Sequence, residues 1–192
     1  ESSPTNDRLA YLTLADVKAK LDEARTEAAA LKEIGFTGGE PFMNPDIIPI
    51  IELILERGFE LLVLTNAMKP MQHKTEALLK LLSRFGDQMV LRISVDHFDQ
   101  AMHEEERGKN TWEPMVKGLK WLSAHGFNLD IAGRTRWNEK EDVLRHGFDQ
   151  LFRALDVKVD AQDPKQLMLF PEMDEGAEVP EITTACWDIL NV

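Results

Sequence analysis

The chain has 192 residues, which is enough for one hydrophobic core or for part of a larger barrel. Its 34 acidic and 22 basic residues give a formal net charge of −12, and such a surface repels phosphate backbones and disfavours general nucleic-acid binding. No apolar run is long enough to span a bilayer, no signal-peptide pattern is present, and the single cysteine, Cys186, excludes an internal disulfide, so we expect a cytoplasmic protein without membrane contacts.

Helices and strands are predicted to alternate along the chain. After a polar loop over 1–12, apolar residues at helical spacing predict a helix over 14–32, with Thr13 as its N-cap. Further helices are predicted over 47–57, 73–85 and 141–155, and a broken helical region after Asp99 ends in a helix over 111–125. Strands are predicted over 34–37, 59–65, 89–95, 127–133 and 167–170. Apolar strands that alternate with helices indicate an α/β fold with a parallel sheet.

The turn after the first strand contains the most distinctive residues of the sequence. Gly38 and Gly39 form a turn that few side chains would permit, Glu40 and Pro41 follow, and Asn44 can cap the next helix. Backbone groups and one carboxylate can approach a ligand at such a turn. The alternative is an ordinary connection between strand and helix, in which the glycines only relieve crowding.

Polar residues also follow the next three strands. Asn66 comes after the second strand, Ser94 and Asp96 lie at the end of the third, and Arg134 follows the fourth. The carboxyl ends of parallel strands meet at one edge of the sheet, where ligands bind in barrels and in doubly wound sheets. We therefore expect these side chains to surround one site.

With the Gly-Gly-Glu-Pro turn and the polar residues of the next strand ends in this order and spacing, the chain resembles the core of radical S-adenosylmethionine (SAM) enzymes. The resemblance spans nearly all of the chain and implies a partial (β/α)6 TIM-like barrel, with the first strand missing, as one domain over 1–192 that is truncated at both ends. It further implies SAM and a 4Fe–4S cluster, which together generate a 5′-deoxyadenosyl radical for hydrogen abstraction. The matching segments are Gly38-Gly39-Glu40-Pro41, Leu64-Thr65-Asn66, Ser94-Val95-Asp96 and Arg134.

The resemblance also implies roles for single residues. Carbonyl groups of the Gly38-Gly39-Glu40-Pro41 turn and the Glu40 carboxylate would accept hydrogen bonds from the methionyl ammonium of SAM, and Arg134 would hold its carboxylate. Ser94 and Asp96 would bind either the ribose hydroxyls or the same carboxylate. Asn66 would line the mouth of the site.

One feature of the family is absent from the sequence. The family holds its cluster with Cys-x3-Cys-x2-Cys, whereas Cys186 is the single cysteine here, so the cluster ligands are expected outside this chain and this part alone is expected to be inactive. Cys186 would either be a packed side chain or ligate an auxiliary cluster. The resemblance implies a reductant such as a flavodoxin or a ferredoxin, and a small-molecule or peptide substrate whose identity the sequence leaves open.

Two other functions are compatible with the predicted fold. A non-catalytic barrel could bind SAM or another small molecule without a cluster, and a phosphate-binding barrel enzyme would need a glycine-rich phosphate loop late in the chain, which is not visible.

Among single residues, His97 would contact substrate or cap its turn, and Asp99 would cap the following helix. His103 precedes three glutamates, and a solvated acidic face is favoured over a metal site.

Overall fold

The computed structural model describes residues 11–27 and 30–171, and Cys186 lies outside this part of the chain. Helices and strands alternate there as the sequence predicts. The helices are α1 (Leu14–Glu27), α2 (Ile47–Glu56), α3 (Lys69–Gln72), α4 (Thr75–Phe85), α5 (Gln100–Arg107), α6 (Trp112–Ala124) and α7 (Glu141–Leu155). The strands are β1 (Glu33–Phe36), β2 (Glu60–Thr65), β3 (Met89–Asp96), β4 (Asn128–Arg134) and β5 (Leu167–Phe170).

The five strands form one open parallel sheet in the order β1-β2-β3-β4-β5, which confirms the predicted α/β fold. All carboxyl ends therefore lie at the same edge of the sheet. The register is regular except for an irregularity between Ser94 and Asp96, where β3 pairs with β4. Within the described residues, no helix is long and apolar enough to cross a bilayer.

One face of the sheet is buried beneath the helices. Alternate strand residues on this face are at most 7% exposed and join the apolar residues of α2, α4, α6 and α7 in one core. Each such Leu, Ile or Val contributes roughly 1.5–3 kcal/mol to folding. On the opposite face of β2 and β3, the residues between the strand ends are half-buried, and they include Arg92 and Ser94. The strand residues of the buried face are Leu61, Val63, Met89, Leu91, Ile93, Leu129 and Ile131.

Local capping rules account for the starts of two helices, α1 and α5. Thr13 Oγ1 accepts a hydrogen bond from Asp16 N at 3.2 Å, and Asp16 Oδ2 accepts one from Thr13 N at 3.0 Å, which is the predicted N-cap of α1. Asp99 Oδ1 caps α5 as predicted, because it accepts hydrogen bonds from Ala101 N at 2.9 Å and Met102 N at 3.2 Å.

Two predicted helices differ from the structure. Helix α1 ends before residue 30 rather than at 32, and the helix predicted over 73–85 is preceded by a separate turn of helix, α3. Pro70 lies in the first turn of α3, where its missing N–H costs no hydrogen bond. The chain then leaves helical geometry at Lys74, whose φ of −113° interrupts the ladder before α4 begins.

Helix α6 approaches the loop after β2 at a distance that only glycine permits. A Cβ atom on Gly118 would lie 1.9 Å from the carbonyl oxygen of Ala67. The same carbonyl accepts a hydrogen bond from Gln72 Nε2 at 2.9 Å, and Gln72 Nε2 also donates to Pro114 O at 2.7 Å. The loop after β2 is therefore held between α3 and α6.

Candidate functional site

The Glu40 carboxylate joins the loop after β1 to the loop after β2. Its Oε1 accepts hydrogen bonds from Thr65 Oγ1 at 2.8 Å and from Phe42 N at 3.1 Å, and its Oε2 accepts one from Asn66 N at 2.8 Å. Burial raises the pKa of Glu40, and the three hydrogen bonds together with the charge of Arg107 oppose that rise. Glu40 thus has a structural task at the strand ends.

The Gly-Gly-Glu-Pro turn has the geometry that the sequence predicts. Gly38 has a φ of +109°, which side-chain-bearing residues rarely adopt, and no atom lies within 4 Å of a Cβ built there. Gly38 and Gly39 are exposed, and Pro41 begins a short 3-10 turn over Pro41–Met43. The backbone of this turn is therefore open to a ligand.

Asn66 and Met68 follow β2 and flank a residue in the left-handed region. Asn66 Oδ1 accepts a hydrogen bond from Met68 N at 2.9 Å, and Thr65 Oγ1 accepts one from Ala67 N at 3.1 Å. Ala67 has a φ of +56° and is fully buried. Both hydrogen bonds stabilise a tight turn that places Asn66 and Met68 on the same side of the loop.

Asp96 binds two arginines at the end of β3. Its carboxylate accepts hydrogen bonds from Arg107 Nε, from Arg107 Nη2 at 3.2 Å and from Arg134 Nε at 3.4 Å. The Asp96 side chain is only 3% exposed, and its φ of +22° belongs to the irregularity at this end of the strand. The carboxylate predicted to contact a ligand therefore positions Arg107 and Arg134.

The ion pairs continue from Asp96 towards the surface. Arg134 Nη1 lies 3.3 Å from Glu106 Oε1, and Glu106 in turn pairs with Arg136. Glu105 lies 3.6 Å from Arg136 Nη2 and accepts a hydrogen bond from Trp137 Nε1 at 3.2 Å. Side chains from α5, from β4 and from the loop after β4 thus form one chain of alternating charge.

A cavity of about 220 Å³ lies where these groups meet. Asn66 and Arg134, two of the predicted site residues, line it, whereas Glu40 and Asp96 hold its walls from behind. Ser94 lies half-buried on β3 and is not in the lining. The lining also includes residues that the sequence did not single out as site residues, namely Met68, Glu106, Arg107 and Thr111.

The cavity suits an amino-acid-like ligand. The guanidinium groups of Arg107 and Arg134 match a carboxylate, the Glu106 carboxylate matches an ammonium group, and Met68 offers an apolar contact. Among the described residues, no group of three His, Cys, Asp or Glu side chains is arranged to hold a metal ion.

His97 caps its turn, as one of the two predicted alternatives. Its Nδ1 accepts a hydrogen bond from Asp99 N at 2.9 Å, so its Nε2 carries the proton and donates to Glu139 Oε2 at 2.7 Å. The ring is 1% exposed and lies edge-on to Trp137 at a centroid distance of 4.9 Å. His97 therefore connects the loops after β3 and β4.

His103 was expected on a solvated acidic face, and this prediction is wrong. The side chain is fully buried and lies edge-on to Trp112 at a centroid distance of 5.4 Å. Burial lowers its pKa below the usual 6.5, the charges of Asp96 and Glu104 oppose this effect, and the charge of Arg107 adds to it. Neither ring nitrogen has a hydrogen-bond partner among the described residues. The neutral imidazole is thus part of the native packing of α5.

We expect this histidine to make the protein sensitive to acid. A lowered native pKa means that the unfolded chain binds the proton more readily, so the stabilisation present at neutral pH is lost as the pH falls below about 6.5. His103→Leu should reduce the fall in melting temperature between about pH 7 and pH 5, measured by circular dichroism. His146→Asn changes an exposed histidine on α7 and is the matched control. A fall in melting temperature for His103→Leu as large as that of the wild type would contradict the prediction.

A model of the radical SAM superfamily matches residues 2–145, which is more than half of the chain. The chain belongs to the radical SAM superfamily. This confirms the resemblance inferred from the Gly-Gly-Glu-Pro turn and the polar residues at the following strand ends. The superfamily consists of enzymes, and the cavity of this chain lies at the carboxyl ends of its strands, the edge at which barrels bind their ligands.

Two proteins that are similar to this chain are longer than it. The antilisterial bacteriocin subtilosin biosynthesis protein AlbA of Bacillus subtilis (strain 168) is 28% identical over 133 residues, which are 69% of the chain and 28% of AlbA. SuiB of Streptococcus suis superposes with a TM-score of 0.66 at 15% identity, over 96% of the chain and 40% of SuiB. The chain therefore spans less than half the length of both proteins.

Two further structures of SuiB share the fold. SuiB bound to S-adenosylmethionine has a TM-score of 0.62 at 14% identity, over 95% of the chain and 38% of SuiB. SuiB bound to its precursor peptide SuiA has a TM-score of 0.57 at 13% identity, over 78% of the chain and 32% of SuiB. At these identities the likeness concerns the fold.

Proposed function

We propose that this chain is the SAM-binding core of a radical SAM enzyme that modifies a peptide. The observation that carries the proposal is the cavity at the strand ends, where Arg107, Arg134 and Glu106 present both charges of an amino-acid ligand in a chain of this superfamily. The SAM-bound structure of SuiB supports the choice of ligand. This part of the protein is proposed to be one barrel domain of a longer enzyme.

The proposed contacts follow the geometry of the strand ends. Arg134 binds the methionyl carboxylate of SAM, with Arg107 beside it, because both guanidinium groups border the cavity. The exposed turn at Gly38 and Gly39 offers carbonyl groups to the methionyl ammonium. Ser94, half-buried on β3, is proposed to reach a ribose hydroxyl.

SAM and a 4Fe–4S cluster, when bound, supply a 5′-deoxyadenosyl radical that removes a hydrogen atom from the substrate. The cluster ligands are proposed to lie outside residues 11–27 and 30–171, since the sequence has no cysteine in these ranges. A flavodoxin or ferredoxin is proposed to deliver the electron. The residues of this chain bind and orient SAM.

A peptide is the proposed substrate class. AlbA is a bacteriocin biosynthesis protein and SuiB binds a precursor peptide, and both share the superfamily or the fold of this chain. Trp137 and Arg136 lie partly exposed at the outer end of the ion-pair chain, where a peptide side chain can contact an indole and a guanidinium group.

The proposal is tested by SAM binding to the full-length protein reconstituted anaerobically with iron and sulfide. Arg134→Ala is expected to weaken SAM binding in isothermal titration calorimetry by about ten- to a hundred-fold, because a charge-assisted hydrogen bond is lost. Arg153→Ala, whose side chain is 80% exposed on α7, is the matched control and should bind as the wild type does. Equal affinities in both variants would remove the assignment of Arg134.

Formation of 5′-deoxyadenosine then separates an enzyme from a non-catalytic domain. The reduced, reconstituted protein is expected to release this product from SAM. A protein that binds SAM and yields no 5′-deoxyadenosine under strong reduction would favour the non-catalytic alternative.

A further inference from the structure

We propose that Thr65 is a positioning residue of this site, which ties the Gly-Gly-Glu-Pro turn to the loop that carries Asn66 and Met68. The expected effect of Thr65 on SAM binding rests on the proposed function, whereas its expected effect on the loop after β2 rests on the geometry alone. Thr65 is 2% exposed at the end of β2 and does not line the cavity. It therefore acts through its neighbours.

The Thr65 hydroxyl uses both of its hydrogen-bonding functions. It donates its proton to Glu40 Oε1 at 2.8 Å and accepts a hydrogen bond from Ala67 N at 3.1 Å. A hydroxyl has one proton, so the direction of both bonds is fixed by the carboxylate on one side and the amide on the other. Valine has nearly the same shape and can make neither bond.

The two hydrogen bonds determine where the loop after β2 lies. Ala67 has a φ of +56°, a conformation of low intrinsic stability for alanine, and its N–H is anchored by Thr65. Its carbonyl is held by Gln72 Nε2 at 2.9 Å. Asn66 and Met68, on either side of Ala67, line the cavity. Loosening Ala67 therefore moves two cavity residues.

Glu40 completes the connection between the Gly-Gly-Glu-Pro turn and the loop after β2. Its Oε2 accepts the backbone N–H of Asn66, and its Oε1 accepts that of Phe42, so this carboxylate binds both loops directly. Three protein donors occupy most of the acceptor positions of one carboxylate. We infer that the main task of Glu40 is to organise the turn together with Thr65, and that a ligand finds the turn already shaped.

The experiment compares Thr65→Val, Thr65→Ser and Thr75→Val in the full-length protein. Thr75→Val makes the same chemical change on α4, outside the cavity, and Thr65→Ser keeps the hydroxyl. We expect Thr65→Val to speed amide hydrogen exchange at residues 66–68 about ten-fold or more and to weaken SAM binding about ten-fold. Thr65→Ser and Thr75→Val are expected to stay close to the wild type in both measurements.

The outcomes separate positioning from other roles. If hydrogen exchange becomes faster in Thr65→Val while the SAM affinity stays unchanged, Thr65 is merely a structural residue. If the SAM affinity falls without faster exchange, Thr65 does not act through the loop after β2. Either result overturns the proposal. Thr65→Ala replaces Thr65→Val in the same measurements if the valine variant folds poorly, which melting temperatures reveal. A wild-type protein that binds no SAM would overturn the proposed function, while the exchange rates would still decide whether Thr65 anchors the loop.

Discussion

Replacing Gly118 by alanine is expected to destabilise the protein by about 3 kcal/mol, towards the upper end of the cost of overpacking. An alanine in a helix interior normally stabilises by roughly 1 kcal/mol relative to glycine. Here the new Cβ would lie 1.9 Å from the Ala67 carbonyl oxygen and 2.9 Å from the carbonyl carbon. Both are backbone atoms of a fixed turn, so α6 must shift away from the loop or the loop must move.

Chemical denaturation of Gly118→Ala measures this cost. Gly35→Ala is the matched control, because a Cβ on Gly35 would meet no atom within 4 Å. The free energy of unfolding of this control is expected to equal that of the wild type to within about 0.5 kcal/mol. The shift of α6 should also displace Gln72 from Pro114, so hydrogen exchange in the loop after β2 should rise. A Gly118→Ala variant as stable as the wild type would contradict the close approach of α6 to Ala67.

Replacing Arg107 by methionine is expected to cost about 3 kcal/mol of folding free energy and most of the SAM affinity. The substitution removes the main partner of an Asp96 carboxylate that is 3% exposed, and a buried charge without its partner typically costs 3–5 kcal/mol. Arg134 Nε remains 3.4 Å from that carboxylate. We expect Arg134 to move towards Asp96 and away from the ligand.

Arg153→Met serves as the control for this substitution. Arg153 is 80% exposed and pairs with Asp149 within α7, where an ion pair contributes about 0.3–0.5 kcal/mol. Denaturation curves and calorimetric titration with SAM are measured for both variants. If Arg107→Met were as stable as Arg153→Met, the Asp96 ion pair would not contribute to folding as we infer.

The fold could be predicted from local and periodic features of the sequence. Apolar strands of four to eight residues that alternate with amphipathic helices determine a parallel sheet, and the bounds of α7 and β5 agree with the predictions. The caps at Thr13 and Asp99 obey rules that involve residues two or three positions apart. These features are local, and for this reason the sequence reveals them.

The site could be predicted only in part, because the residues that contact one another there are distant in sequence. The order of strand ends placed Asn66 and Arg134 at one edge, and both line the cavity. Arg107 could not be predicted as a site residue, because its contact with Asp96 depends on the irregular end of β3, which no spacing rule reveals. His103 was misplaced because α5 has only eight residues, too few to show which face is buried.

The alternating charges around the cavity have a consequence for how the molecule meets its ligands. Three guanidinium groups pair with three carboxylates there, so most of the charge at the mouth is compensated locally although the whole chain has a charge of −12. Ligand selectivity at this entrance thus depends on short-range contacts between single charged groups of the ligand and of the cavity, and long-range electrostatic attraction contributes little. Recognition should accordingly persist at high ionic strength, where a site that depended on a diffuse field would lose its ligand.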